Sequence, residues 1–98
     1  MSRELESAIE DDVVAWAENR GWLVRKMAYP GRRGCPDRWF FKAGQMRIIE
    51  FKRSGNIKAD PIQQREHKRY EAVCFKVFVI NNRDEACMAL EGTPYVRD

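Results

Sequence analysis

The chain has 98 residues, 44% hydrophobic and 34% charged, with a net charge of +3; that suits one domain with a modest core, and so small a chain gains by pairing with a copy of itself. No apolar run reaches the length of a bilayer span, and the acids Glu4, Glu6, Glu10, Asp11 and Asp12 exclude a secretory leader at the start. Cys35, Cys74 and Cys87 are widely spaced with no CxxC pair, which argues against a disulfide framework or a zinc ribbon and for the reducing cytoplasm.

In chain order, residues 2–20 read as a helix: Leu5, Ile9, Val13 and Trp16 recur at helical spacing, Ser2 is placed to cap the start, and Gly21 ends it. Trp22 to Tyr29 suits a strand, followed by the turn-rich Pro30-Gly31-Arg32-Arg33-Gly34. Asp37 to Lys42 is a second strand, Ala43-Gly44 a hairpin turn and Met46 to Lys52 a third strand. Asp60-Pro61 then opens a helix running to about Val73, with the acid as N-cap and proline at the first helical position. Phe75 to Ile80 is a fourth strand, Arg83 to Leu90 a short helix, and the tail from Gly92 is irregular. The order α-β-β-β-α-β-α predicts a single α/β domain, residues 1–98, with a mixed four-stranded sheet flanked by helices.

Charge is unevenly spread along this order. Residues 19–59 hold eleven lysines and arginines but only two acids, Asp37 and Glu50. Such a basic field attracts a polyanion, and a carboxylate pair inside it is accounted for by a divalent metal held against a phosphodiester. Strand alternation puts Ile48, Glu50 and Lys52 on one face, with Glu50 and Lys52 about 7 Å apart. If the second and third strands form the hairpin, Asp37 faces Glu50 and Lys52 across the sheet. The two carboxylates and the Phe51 carbonyl then offer oxygen ligands, and the Lys52 ammonium can orient a water or neutralise charge on the phosphate. Glu-X-Lys by itself is equally a surface ion pair on an edge strand. Its distinction here is the Gly34-Cys35-Pro36-Asp37 turn thirteen residues upstream of Glu50.

With these motifs in order, the chain resembles the PD-(D/E)xK nuclease superfamily and, more closely, the stand-alone VRR-NUC (virus-type replication-repair nuclease) domains encoded by phages. The resemblance covers about residues 8–82 and rests on Glu10, Gly21, Lys26, the stretch Pro30 to Arg38, Glu50-Phe51-Lys52 and Gln63. It departs at Trp22, where relatives often carry a second glycine, a change of packing rather than chemistry. Gln63 is followed by Gln64, and the spacing to Pro61 favours Gln63. The resemblance implies a restriction-endonuclease-like core and a Mg²⁺- or Mn²⁺-dependent endonuclease. Asp37, Glu50 and the Phe51 carbonyl would bind the metal, Lys52 would be the catalytic lysine, and Glu10 and Gln63 would complete the site. Phage encoding would place it in the host-cell cytoplasm.

Lys26, Arg32 and Arg33 are candidates for the DNA backbone, where contacts position rather than specify. Cys35 and His67 do not read as a cysteine nucleophile with its base, because Cys35 has no base near it in sequence. Trp16, Trp22, Trp39, Phe40 and Phe41 read as core or dimer contacts. Similarity to archaeal junction resolvases points to a homodimer cutting branched DNA such as Holliday junctions. The alternatives are a flap, nick or duplex cutter, or a non-catalytic nucleic-acid-binding module. Binding alone would not set carboxylates beside phosphate, which counts against the last.

Overall fold

The structure is a computed structural model and describes residues 5–55 and 58–98. Helix α1 spans Glu6–Glu18 and buries Ile9, Val13, Trp16 and Ala17, the stripe its periodicity predicts. Ser2, the expected cap, lies outside the described residues. Strand β1 is Leu23–Lys26, shorter than expected at both ends. Trp22 is held by the helix exit, its N–H bonding the Ala17 carbonyl, and beyond Met27 the chain leaves the sheet so that Tyr29 reaches Tyr70.

Strands β2 (Arg38–Lys42) and β3 (Gln45–Phe51) form the expected hairpin. Its two turn residues, Ala43 and Gly44, have φ of 50° and 78°. A left-handed pair is the geometry whose twist matches a two-residue hairpin. Helix α2 (Pro61–Ala72) starts as its sequence predicts: Asp60 accepts from the Gln63 N–H, the Gln63 side chain accepts from the Asp60 N–H, and Pro61 sits in the first turn. Strand β4 is Val77–Ile80; it starts after Phe75 because the Phe75 N–H still closes the end of α2 on the Tyr70 carbonyl. Helix α3 (Arg83–Glu91) is capped by Asn82 and ended by left-handed Gly92.

The sheet order is β1-β2-β3-β4, antiparallel except for the parallel β3–β4 pair. A parallel pair needs a crossover, and α2 supplies it. Side chains of β3 alternate as predicted, with Ile49 and Phe51 in the core and Ile48 and Glu50 on the other face. Val24, Phe40, Ile49, Phe51 and Ile80 join the α1 residues and Ala86, Cys87 and Leu90 of α3 in one core. Trp16, Trp22 and Phe40 are in that core as expected, whereas Trp39 and Phe41 are only half-buried, Trp39 standing edge-on to Tyr70 of α2. The α2 face of the sheet therefore carries Trp39, Ile48 and Glu50, and it is this face that holds the chemistry.

Candidate active site

The β2–β3 register pairs Arg38 with Ile49. One step further it sets Asp37 opposite Glu50, on the same face, as residues directly opposed in an antiparallel pair must be. One step beyond that, Pro36 faces Phe51. Proline has no N–H, so the chain there offers the Phe51 carbonyl no ladder donor. The Phe51 N–H is taken by Asp37 itself, donating to Oδ2 at 3.0 Å. Asp37 thus stands at the strand's end as a side chain replacing a ladder acceptor.

Glu50 is 1% exposed. Its Oε2 accepts from Gln63 Nε2 at 3.0 Å, and the Gln63 Oε1 accepts from Lys52 Nζ at 2.8 Å. That same Oε1 closes the capping box with the Asp60 N–H at 3.1 Å. Three partners fix which way the amide points, with its oxygen toward the two donors and its NH2 toward the carboxylate. Gln63, and not Gln64, is the glutamine at the site; Gln64 donates to the Ala59 carbonyl instead.

Burial and like charge both act on this carboxylate pair. The Asp37 carboxyl is pushed from the ordinary 3.8 up to about 6, first by burial and then by its hydrogen bond to and repulsion from Glu50; the Phe51 N–H and Lys52 pull the other way. Glu50 Oε1 is buried with no hydrogen-bond partner among the described residues. A crowded carboxylate pair with an orphaned oxygen, beside a carbonyl lacking a ladder donor, fits a hard divalent cation that prefers oxygen and keeps some of its water. No set of three or more His, Cys, Asp and Glu side chains is gathered at ligand spacing among the described residues. The oxygens that could serve such an ion here are those of Asp37, Glu50 and the Phe51 carbonyl.

The raised carboxyl has a consequence for stability. Between its unfolded and folded values the native state binds more protons than the unfolded chain, so stability present at low pH is lost as pH rises through about 6. In EDTA, the melting temperature of the wild type relative to Asp37→Asn should therefore fall between about pH 4 and about pH 7. A constant difference across that range would show that Asp37 titrates normally. Using the difference removes Asp60, Glu66, Glu91 and Asp98, whose carboxyls are held below their ordinary values and act in the opposite sense.

The remaining candidates fall around this centre. Glu10 is 6% exposed, but its partner is the Arg38 guanidinium, on the α1 face of β2 and so across the sheet from Asp37. Arg38 was not among the predicted site residues; only the register shows that its side chain must emerge beneath Asp37. Glu6, one turn before Glu10, was also missed: its carboxyl is raised by burial and by Asp37, with Lys52 and Lys26 opposing. Lys26 is exposed at the end of β1, opposite Arg38. Arg32 pairs with buried Glu66 at 3.5 Å, tying the glycine-rich loop to α2 one turn beyond Gln63, while Arg33 is exposed near Asp60. Gly34 packs that loop down: at φ +91°, a Cβ there would meet Ile62 at 3.2 Å. His67, set aside as a nucleophile's partner, is buried beside Glu50. Its signal in the sequence was its position four residues after Gln63, on the same helical face.

No family model matches the chain. A phage protein named "Putative nuclease p44", of Acyrthosiphon pisum secondary endosymbiont phage 1, is 36% identical over 80 residues, covering 81% of this chain and 85% of that one. A solved structure described as a "VRR_NUC domain" matches with a TM-score of 0.80 and 33% identity, over 88% of this chain and 94% of the other. Fold and sequence agree over 85% of the one relative and 94% of the other, and the chain belongs to the VRR-NUC nuclease family.

Proposed function

We propose that the protein is a Mg²⁺- or Mn²⁺-dependent DNA endonuclease that acts as a homodimer on branched DNA, including Holliday junctions. The observation that carries the metal-dependent chemistry is the opposition of Asp37 and Glu50, with Lys52 joined to Glu50 through Gln63. Asp37, Glu50 and the Phe51 carbonyl would hold the ion, which when bound neutralises phosphate charge and makes a coordinated water more acidic. Lys52 presents an ammonium to the same phosphate and stabilises the charge that develops on its oxygens in the transition state. Gln63 holds that ammonium at a fixed distance from the carboxylates. Arg32 and Arg33, in the loop packed against α2, draw the backbone of the nucleic acid toward the α2 face, and Lys26 adds its charge from the end of β1, on the Arg38 side of the sheet. Glu10 and Arg38 support the floor beneath Asp37.

The homodimer is supported by size and by an uncovered edge. β4 borders the sheet, and beside it Phe75 and Met88 are 43% and 51% exposed. A two-fold axis repeats one site on opposing strands, the arrangement a four-way junction offers. Three free cysteines suit the cytoplasm, and no helix among the described residues is long and apolar enough to cross a membrane.

The test sets a junction, a flap and a linear duplex side by side, with Mg²⁺, Mn²⁺ or EDTA, on protein whose mass is read by sedimentation. The expected species is about 23 kDa, twice the 11.6 kDa chain, cutting the junction at symmetry-related positions on two strands. Full cutting in EDTA would remove the metal. A monomer that nicks one strand or prefers the flap would keep the nuclease and remove the junction reading.

A further inference from the structure

We propose that His67 is a positioning residue for Glu50: its Nε2–H holds the Glu50 Oε1 and thereby fixes the orientation in which the carboxylate meets the metal. The proposal rests on Glu50 being a metal ligand, as proposed above. Two buried polar atoms, Glu50 Oε1 and His67 Nε2, face each other with no hydrogen-bond partner among the described residues. They lie 3.9 Å apart, with the side chains 2% and 8% exposed. That is too long for a direct hydrogen bond, yet a small rotation of the carboxylate closes it, and leaving both groups unpaired in the interior is costly.

The geometry of α2 explains why the pair exists. Gln63 and His67 are one helical turn apart on the same face. Gln63 Nε2 already holds Oε2, and His67 stands over Oε1. The two side chains form a clamp with one tooth for each carboxylate oxygen. A carboxylate free to turn presents a cation with many orientations, most of them unproductive. One fixed by donors behind it presents a single orientation, which is how outer partners tune metal ligands elsewhere. Mere packing would be served as well by a leucine, which fills similar space and leaves no polar nitrogen buried without a partner.

Three measurements on the full chain test this. Mn²⁺ binding by calorimetry should weaken by about 10- to 100-fold in His67→Leu and return to within about threefold of wild type in His67→Gln, whose amide nitrogen can take the place of Nε2. Melting in EDTA checks that both variants fold. The third readout needs no variant: His67 is the one histidine in the sequence, so its ring nitrogens are unambiguous in a long-range ¹H–¹⁵N spectrum. Nε2 should carry a proton. Wild-type affinity in His67→Leu, equal loss in both variants, or an Nε2 without a proton would each overturn the proposal. If the wild type itself binds no Mn²⁺, the metal-dependent reading falls first and takes this inference with it.

Discussion

Asp37→Asn is expected to reduce cleavage at least about a thousandfold, roughly 4 kcal/mol of transition-state stabilisation, while making the metal-free protein harder to melt. The two effects have one cause. Burial and the neighbouring Glu50 push the Asp37 carboxyl up to about 6, so at neutral pH the metal-free fold holds two charges that repel each other. An asparagine keeps the contact with the Phe51 N–H through its oxygen and turns an NH2 toward Glu50. Repulsion becomes a hydrogen bond, and because Asp37 is only half-buried the gain is discounted to on the order of 1 kcal/mol. Binding of DNA in EDTA should survive or tighten, since a negative charge near phosphate has gone. Glu50→Gln should lose cleavage to the same degree. Undiminished cutting by either variant would sink the metal assignment, and an Asp37→Asn protein that melts earlier in EDTA would show that the carboxylates do not repel.

Lys52→Ala should lower turnover by about a hundredfold or more with Mn²⁺ affinity little changed. The ammonium is no ligand, and its partner survives its removal: Gln63 Oε1 still accepts from the Asp60 N–H at 3.1 Å, so the amide has no reason to swing away from Glu50. Lys52→Arg should not restore the rate, because a planar guanidinium cannot reproduce a compact charge at the same point. Calorimetry beside single-turnover cleavage separates the two roles. Parallel loss of metal affinity and rate in Lys52→Ala would make the lysine a structural support of the carboxylates.

Much of this was legible in the residues because strand geometry is periodic. Alternation alone put Glu50 and Lys52 on one face, and the Ala43-Gly44 turn set the register that brings Asp37 opposite Glu50. Asp60-Pro61 named the start of α2 and so the place of Gln63. Less was legible wherever a partner is distant in sequence. Nothing in α1 says that Glu10 meets Arg38, because that depends on which face of β2 the helix covers. His67 looked like an isolated imidazole until α2 lay on the sheet and buried it against Glu50. Strand ends moved by a few residues where helix exits competed for the same backbone groups, at Trp22 and at Phe75.

The hairpin of β2 and β3 makes length a separate variable from identity. Across this turn paired residues stand at fixed sums of position, Arg38 with Ile49 and Lys42 with Gln45. Most side chains along it can be exchanged for others of similar size and polarity at modest cost. One residue more within β2 would set Asp37 against Phe51, one more within β3 would set it against Ile49, and either would turn one carboxylate toward the opposite side of the sheet. The carboxylate pair is thus tolerant of spelling and intolerant of counting, and it is a loop of two residues, at the other end of the hairpin, that keeps the count.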